Sequence, residues 1–480
     1  MDIQKIKAKL KNIFNLKTPN GLFYAALSIL ISIRLVYIAL PSLVAWDATV
    51  YMGMAEYLAS SGQIGLWEFF RPPLLPLLFS ISKLIQVPIV FWAELLTFLA
   101  SVGSLFLIYK IGEKIRPFAG AFAAFALGIS TLFMSFSSVP MTEVFGIFFS
   151  LSALYLLFIK NSYFWAGMVS GLCFLTRFPY GLLAPIFYLS FLYFDWRNKD
   201  LWKVLFLRTI YFLSGFSILA VAYLISNYFL YGDVFSPLVS GVKVIEGAIW
   251  IYRRKLGFYE NVLFLQNPLF IFSLVTVFLA WFRGYFSENK RVIYLLFIWF
   301  LVFFTYFYQE EHKEARYIIT VFPALALLSG ISISYFYEKH KRIFFLVGIV
   351  ALALVSFLNT HFFVQPKNIV ESFENFYSLL QKEYGKTVIT STPVVAVYSP
   401  VKVLPAYDRF EFFKNKYEEN RLKAGYLLID SCELHVCPPG EEDSCANHKR
   451  ELLDEIFARE SVIYDKTVGI CRHVIAEIKK

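Results

Sequence analysis

The stretch from Ala45 to Pro76, AWDATVYMGMAEYLASSGQIGLWEFFRPPLLP, combines residue types that could do chemistry at a membrane surface. It follows the first long apolar segment, carries the acid Asp47 just beyond it, and reaches Trp67 and Arg71 before a double proline. A carboxylate at the end of a membrane helix, with a cation and aromatic rings folded over it, is a hypothesis for a functional site. The alternative is an interfacial loop in which Asp47 is only solvated and the aromatic rings lie among lipid headgroups.

Further acids and bases recur at the ends of apolar segments, on the same predicted side of the membrane. Glu143 opens one segment, Arg177 ends the next, and a basic run, Arg253, Arg254 and Lys255, lies in a long loop. The densest group is in QEEHKEARYIITVFPAL and comprises His312, Lys313, Glu314, Arg316 and Tyr317. Arginine and lysine suit phosphate, arginine through bidentate hydrogen bonds. The set therefore predicts a cavity that holds an anionic headgroup next to a carboxylate.

Most of these residues also have a purely structural interpretation. Arg177 and the basic run at 253–255 can snorkel or bind anionic lipid. Glu143 can cap the N-terminus of its helix, because it falls in the first turn after Pro140. Glu94, inside an apolar segment, fits either a buried, hydrogen-bonded acid or a member of the site.

The composition excludes a soluble globular protein. Of the 480 residues, 58% are hydrophobic, 19% are aromatic and only 17% are charged, with a mean hydropathy of +0.59. These values are typical of a polytopic helical membrane protein. The net charge of +10 does not indicate nucleic-acid binding, because the basic residues fall in short loops between apolar runs. No small-residue cleavage site follows the first apolar run, so we expect that run to stay as a helix.

A helix that crosses a bilayer needs about 20 mostly apolar residues. This criterion predicts about 11 crossings: Gly21–Leu40, Val87–Tyr109, Pro117–Val139, Met141–Ile159, Tyr163–Phe178, Gly181–Phe194, Val204–Leu230, Pro268–Phe282, Val292–Tyr308, Tyr317–Tyr335 and Ile343–Leu358. With the Lys-rich N-terminus in the cytoplasm, every inner loop carries Lys or Arg. Counting Pro72–Gln86 as another crossing would invert the later loops, so we expect it to be an amphipathic or re-entrant helix in the outer interface.

The tail changes character after residue 358. Strand-like runs occur at KTVITST, GYLLIDS, VIYDK and GICRHVIAEI, with helices expected in EFFKNKYEENRLKA and around Glu451–Glu460. These features predict an α/β domain of about 120 residues, large enough for its own core. The predicted domains are a membrane domain at 1–358, whose first outer loop is 41–86, and an extracytoplasmic domain at 359–480.

Four of the five cysteines lie in this tail, which predicts disulfides and an oxidising, extracytoplasmic environment. We expect Cys437 to pair with Cys445 and Cys432 with Cys471, although four cysteines allow three connectivities. A zinc site built from three of them with His448 is the alternative, but the spacing lacks the usual paired cysteine knuckle. The disulfide interpretation agrees with the topology deduced from charge, and the protein is expected in the cell membrane.

Together these stretches resemble the GT-C glycosyltransferases, polytopic enzymes that use polyprenyl-phosphate sugars. The first-loop acid with AEYLASSGQIGLWEFFRPPLLPLL, then MTEVFGIFFSLSALYLLF and GLCFLTRFPYGLLAPIFYL, are similar to the protein-O-mannosyltransferase and aminoarabinose-transferase branch. HKEARYIITVFPALALL is close to the HKE-x-R-[FY] motif of dolichol-phosphate-mannose enzymes. The resemblance spans most of residues 21–335. No GxGxxG or Walker-type loop is present, so the sequence gives no indication of a nucleotide site.

The resemblance implies roles position by position. Asp47 matches the catalytic acid of the first loop, and Glu143 matches a second acid that assists the acceptor or a metal in some members. The motif near the donor phosphate corresponds to His312, Lys313, Glu314 and Arg316. Many relatives have Asp-Glu in the first loop, whereas here Asp47 is followed by Ala48. The second carboxylate is therefore either Glu56 or Glu143.

The implied reaction moves a sugar, with mannose as the first candidate, from a polyprenyl- or dolichyl-phosphate donor to an acceptor hydroxyl at the outer face. One in-line attack would invert the anomeric carbon, with Asp47 as the base. Cations would stabilise the departing phosphate: Arg316, Lys313, His312 and either Arg177 or Arg71. A divalent metal is a candidate cofactor. The expected partners are the lipid-linked donor, a glycan, protein or lipid acceptor, and membrane lipid, without nucleic acid.

The alternative function is a polytopic transporter or lipid flippase. That class predicts charges near helix centres and an internal two-fold repeat. Here the charges cluster at outer helix ends, and no repeat is visible in the sequence. The transferase hypothesis requires Asp47 to lie within reach of the segment His312–Arg316.

Overall fold

The computed structural model describes residues 15, 17–39, 45–195, 202–247, 252–265, 267–286, 289–339, 348–350, 373–406, 410–434, 442–469 and 471–479. The chain folds as two compact units. The helical unit comprises Met1–Leu40 and Leu96–Phe362, and the sheet unit comprises Pro41–Leu95 and Phe363–Lys480. The sequence assigned residues 41–86 to the membrane domain, whereas the structure packs this segment with the C-terminal residues.

The described α-helices are α1 (Pro19–Ala39), α2 (Trp46–Ala59), α3 (Leu74–Leu84), α4 (Ile89–Ile115), α5 (Ala119–Gly128), α6 (Thr131–Phe136), α7 (Thr142–Phe158), α8 (Tyr163–Thr176), α9 (Leu183–Asp195), α10 (Trp202–Tyr231), α11 (Ser236–Gly247), α12 (Phe258–Glu260), α13 (Ile271–Phe282), α14 (Lys290–Gln309), α15 (Phe322–Lys339), α16 (Val395–Tyr398), α17 (Phe410–Asn420) and α18 (Glu442–Arg459). Short 3₁₀ segments occur at Phe178–Leu182, Pro268–Phe270, Ala315–Val321 and Arg421–Lys423, and a π turn occurs at Asn261–Leu265.

The predicted apolar segments before residue 340 are helical, but fewer of them are long enough to cross a bilayer alone. Within the described ranges, five helices meet that length and apolarity, or six if the bent pair Phe258–Phe264 and Pro268–Phe282 forms one span. The predicted segment Pro117–Val139 is broken, because Ser130 leaves helical geometry between α5 and α6. The last predicted segment, Ile343–Leu358, lies outside the described residues except for 348–350.

Small residues let the helices of this unit pack closely. A Cβ added to Gly167 on α8 would lie 2.0 Å from the carbonyl oxygen of Phe212, and one added to Gly215 on α10 would lie 2.1 Å from that of Phe164. The two backbones therefore approach more closely than any larger residue would permit. Close backbone approach at small residues is how helices associate where lipid leaves no hydrophobic driving force between them.

The C-terminal residues form a five-stranded sheet, as the alternating pattern predicts. Its strands are β1 (Thr387–Thr390), β2 (Lys402–Pro405), β3 (Tyr426–Asp430), β4 (Ser461–Val468) and β5 (Cys471–Glu477), in the order β2-β1-β3-β5-β4. Strand β1 is parallel to β2 and β3, whereas β5 is antiparallel to β3 and β4. Every strand except β2 was predicted from the sequence. The two predicted helical stretches correspond to α17 and α18.

The sheet buries a hydrophobic core on each face, and the first loop contributes to one of them. Val50, Met54 and Leu66 are buried in one core with residues of the C-terminal chain such as Val395 and Val401. The predicted amphipathic segment after the double proline forms α3. The first loop is therefore an ordered part of the sheet unit.

Candidate functional site

The centre of the motif HKEARY is the carboxylate of Glu314, in extended backbone just before the 3₁₀ segment Ala315–Val321. Extended backbone places the side chains of His312 and Glu314, two residues apart, on one side. Arg316, in the first turn of the 3₁₀ segment, reaches the same carboxylate. Arg316 contacts the carboxylate through Nη2 at 2.9 Å and Nε at 2.8 Å, and His312 Nε2 lies 2.9 Å from Oε1. The Tyr317 hydroxyl is 3.1 Å from the same imidazole nitrogen.

This arrangement keeps Glu314 ionised. Burial alone would raise its pKa, but the hydrogen bond with His312 and the charge of Arg316 lower that pKa to about 2. A carboxylate with so low a pKa is a poor proton acceptor at neutral pH. Glu314 is therefore suited to orient His312 and Arg316, and unsuited to act as a general base.

Two residues from distant helices join this group. Glu143, in the first turn of α7, is 2% exposed, and Arg177 follows α8 in extended backbone. Oε1 of Glu143 lies 3.7 Å from Arg177 Nη1 and 4.0 Å from Arg316 Nε. The guanidinium of Arg177 also lies 4.8 Å from the ring centre of Tyr317. We call His312, Glu314, Arg316 and Tyr317, with Glu143 and Arg177, the Glu314 cluster.

The basic loop is fastened to the Glu314 cluster through its backbone. Lys313 N donates to the carbonyl of Tyr252 at 3.0 Å, and Arg253 forms an isolated antiparallel bridge with His312. The Tyr252 ring stacks on His312 with centres 4.4 Å apart. This contact places the exposed residues Arg253 and Arg254 on the same side of the unit as the cluster.

The arginines and glutamates of the Glu314 cluster balance in charge, and further charged side chains surround them. The guanidinium groups of Arg177 and Arg316 face the carboxylates of Glu143 and Glu314. Around it, the basic side chains of Lys313, Arg253 and Arg254 are half-buried or exposed, and so are the acids Glu310 and Glu311 in the same loop as Lys313. An anion beside the cluster would meet Lys313, Arg253 and Arg254 as well as the two paired arginines.

Two buried tyrosines lie beside the Glu314 cluster and were not predicted as site residues. Tyr180 is fully buried, and Gly146 makes room for it, since a Cβ there would lie 2.2 Å from its ring. Tyr259 is fully buried within electrostatic range of Arg177 and Glu314. Both lie in apolar stretches, where a tyrosine gives no signal that separates a site residue from a core residue.

The sheet unit holds the second group, the Asp47 cluster of Asp47, Glu68 and Arg71. Arg71 Nη2 donates to Asp47 Oδ1 at 2.8 Å, and Arg71 Nε donates to Glu68 Oε2 at 2.5 Å. Its guanidinium also faces the ring of Tyr51 at 5.3 Å. Burial lowers the pKa of Arg71, but the charges of Glu68 and Asp47 outweigh that effect and hold the pKa well above its usual value. Glu68 was not predicted from the sequence.

The remaining predicted acids lie elsewhere in the sheet unit. Glu56 pairs with Lys83 at 3.3 Å, and Glu94 on α4 lies within electrostatic range of Tyr398. Asp47 belongs to the sheet unit and His312–Arg316 to the helical unit. Their predicted proximity stays a prediction.

The cysteines favour a disulfide over a metal. Cys432 and Cys471 are bonded to each other, as the sequence predicted, and connect β3 to β5. The predicted pairing of Cys437 with Cys445 involves a position outside the described residues. Within the described ranges, the one group spaced for a metal ion is Asp430 with Cys432 and Cys471, whose thiols are oxidised. The acids of both clusters face arginines, so the candidate divalent metal gains no support from these residues.

Solved structures of known proteins share the fold of this chain. No protein-family model matches the sequence. An uncharacterised protein of Aquifex aeolicus (strain VF5) is 29% identical over 298 residues, which are 61% of this chain and 66% of the relative, just under two thirds of its length. The Archaeoglobus fulgidus oligosaccharyltransferase is similar in structure, with a TM-score of 0.61 and 15% identity over 85% of this chain and 68% of that chain. ArnT from Cupriavidus metallidurans, bound to undecaprenyl phosphate, has a TM-score of 0.57 and 12% identity over 96% of this chain and 98% of that chain.

Both solved structures are GT-C glycosyltransferases. The chain thus has the fold of the GT-C glycosyltransferases, with a helical membrane part and a C-terminal sheet domain. At these levels of identity the likeness establishes the fold alone. The particular branch predicted from the sequence stays a prediction.

Proposed function

We propose that this protein is a membrane glycosyltransferase that moves a sugar from a polyprenyl-phosphate carrier to an acceptor hydroxyl. The Glu314 cluster is the observation that carries the proposal, because four distant segments converge to set two arginines beside the loop of Arg253 and Arg254. The similar ArnT structure contains undecaprenyl phosphate, which supports a lipid phosphate as the ligand here. Mannose is the first sugar to test, because HKEAR resembles the motif of mannose-transferring enzymes.

In the proposed reaction, the cluster stabilises the leaving group. The acceptor oxygen forms a bond to the anomeric carbon while the bond from that carbon to the phosphate oxygen breaks. The electron pair leaves with the polyprenyl phosphate, whose growing negative charge faces Arg316, Arg177 and Lys313. His312 and Glu314 hold Arg316 in place, so little reorganisation is needed as the charge develops.

Asp47 is proposed as the base that removes the acceptor proton. Its side chain is 18% exposed, whereas that of Glu143 is 2% exposed and faces two arginines. An acceptor substrate can therefore reach Asp47 more readily than Glu143. Arg71 holds the carboxylate in place through its 2.8 Å hydrogen bond to Asp47 Oδ1, and attack from one side in a single step inverts the anomeric carbon.

The test is transfer from synthetic polyprenyl-phosphate mannose and other polyprenyl-phosphate sugars by the purified protein in vesicles. We expect Asp47→Asn to lower kcat by about 100-fold or more, the range for loss of a general base. Asp454→Asn, the same substitution at an exposed acid of the sheet unit, is the matched control and should retain transfer. Near-normal transfer by Asp47→Asn would remove the base role. Uptake of substrate by sealed proteoliposomes without any sugar transfer would favour a transporter instead.

The proposed orientation places the N-terminus in the cytoplasm and the sheet domain outside the cell membrane. The Cys432–Cys471 disulfide supports this, since disulfides persist in oxidising compartments. A cysteine-reactive, membrane-impermeant label would test it on intact cells. A single cysteine in place of exposed Lys414 should react from the outside, whereas one in place of exposed Lys17 should react only after lysis. The reverse pattern would overturn the orientation.

A further inference from the structure

Helix α2 has one face that carries the acid Asp47 in its first turn and core residues in the turns that follow. Residues three and seven positions apart on a helix lie on the same side. Val50 and Met54, at those spacings from Asp47, are fully buried in the core that the sheet shares with the loop. The carboxylate therefore stands at the end of the face that the C-terminal chain covers.

The residues that cover this face include the short helix α16. Its Val395 is fully buried in the shared core, and α16 packs directly on α2. The fit is close, because a Cβ added to Gly53 would lie 3.0 Å from both Cβ of Ala396 and Cδ2 of Leu66. Such packing leaves α2 little freedom to shift relative to the sheet.

A second attachment joins the loop to the edge of the sheet. Gly65 N donates to Val401 O, and Val403 N donates to Gly65 O, both at 2.8 Å. Only glycine fits here, since its φ is +79° and a Cβ would lie 2.3 Å from the carbonyl oxygen of Gly53. The loop thus pairs with the edge strand β2 while α2 contributes to the core beneath it.

We infer that α16, through Val395, positions Asp47 by fixing the helix that presents the carboxylate. The packing of α16 on α2 does not depend on the activity, whereas its consequence for sugar transfer rests on the proposed function. A base must hold its reacting atom within a fraction of an ångström, and a misplacement of 1 Å can cost about 100-fold in rate. A C-terminal domain that sets this position is a necessary part of the transferase, in addition to any part it takes in choosing the acceptor.

The experiment compares two valine truncations in the full-length protein. Val395→Ala opens a cavity in the core shared with α2, whereas Val474→Ala, at an equally buried site, opens one in the core on the other face of the sheet. Amide hydrogen exchange across residues 46–59 reports on α2, and exchange of β1 reports on the sheet. Sugar transfer provides kcat and KM separately.

We expect amide exchange in α2 to be about tenfold faster in Val395→Ala than in Val474→Ala, while β1 loses protection to the same extent in both variants. Val395→Ala should lower kcat by about tenfold with little change in KM for the donor. Val395→Ile, which opens no cavity, should lose less kcat and less α2 protection than Val395→Ala. Unchanged exchange in α2, or equal effects of the two truncations, would overturn the inference. If Asp47→Asn transfers sugar normally, Asp47 is not the base. The exchange data would still test whether α16 holds α2 in place.

Discussion

Glu314→Gln tests whether the Glu314 cluster is held together by charge. The side chain of Glu314 is 16% exposed, and its pKa is lowered from 4.5 to about 2. At 1.36 kcal/mol per pKa unit, that difference corresponds to about 3 kcal/mol of preferential stabilisation of the ionised form. We expect the substitution to remove up to about 3 kcal/mol of local stability at pH 7, because His312 and Arg316 lose their shared counter-charge.

The contribution of Glu314 to stability changes with pH in a definite direction. A carboxylate whose pKa is lower in the folded than in the unfolded protein stabilises the fold fully above the unfolded pKa, here 4.5. That contribution is lost as the pH falls towards about 2. The stability deficit of Glu314→Gln should therefore be complete at pH 7, about half as large at pH 3, and absent below the folded pKa.

Amide hydrogen exchange across residues 310–321, in detergent, measures this local stability. Glu311→Gln is the matched control, since Glu311 is an exposed acid in the same loop. We expect protection to fall by about 100-fold in Glu314→Gln at pH 7 and to stay unchanged in Glu311→Gln. Transfer should also fall, because Arg316 loses both contacts that orient it. A deficit that is equal in the two variants, or independent of pH, would refute the electrostatic account.

Two further substitutions test the sheet unit. Arg71→Lys should lower kcat by about tenfold, because one ammonium cannot reproduce the two guanidinium contacts to Asp47 and Glu68; unchanged kcat would argue against this bridge. Replacing Cys432 and Cys471 by serine opens a loop of 39 residues, and the chain-entropy model gives a loss of about 4 kcal/mol, to be measured as the denaturant midpoint of the sheet domain. An unchanged midpoint would mean that the disulfide contributes little beyond the packing around it.

Part of the candidate site could be predicted because it is local in sequence. His312, Glu314 and Arg316 lie within five consecutive residues, so the chain itself keeps their side chains near one another. The contact of Glu143 with Arg177 and Arg316 could not be predicted in this way. It depends on how α7, α8 and the 3₁₀ segment pack, and a single sequence carries no record of which helices meet. The resemblance to GT-C enzymes supplied that grouping as an expectation.

The C-terminal strands were also predictable, since short alternating runs bounded by turns indicate strands whatever surrounds them. Strand β2, at Lys402–Pro405, was missed because it is short and ends in proline. The attachment of the first loop to the sheet was not predictable either. The buried residues of that loop, such as Val50 and Met54, have the same apolar character as residues that face lipid.

The sequence by itself determined that the chain is apolar, helical and basic at its loops, because these properties depend only on composition and periodicity. It did not determine which helices are buried. The windows in Lys203–Tyr231 and Ala315–Lys339 have the same mean hydropathy of 1.9, yet 17% of the first and 94% of the second is buried. An apolar side chain is equally stable against lipid and against another helix, so hydropathy cannot distinguish the two positions. Only the tertiary structure placed Ala315–Lys339 at the centre of its unit, with the arginine and glutamate residues at its N-terminal end.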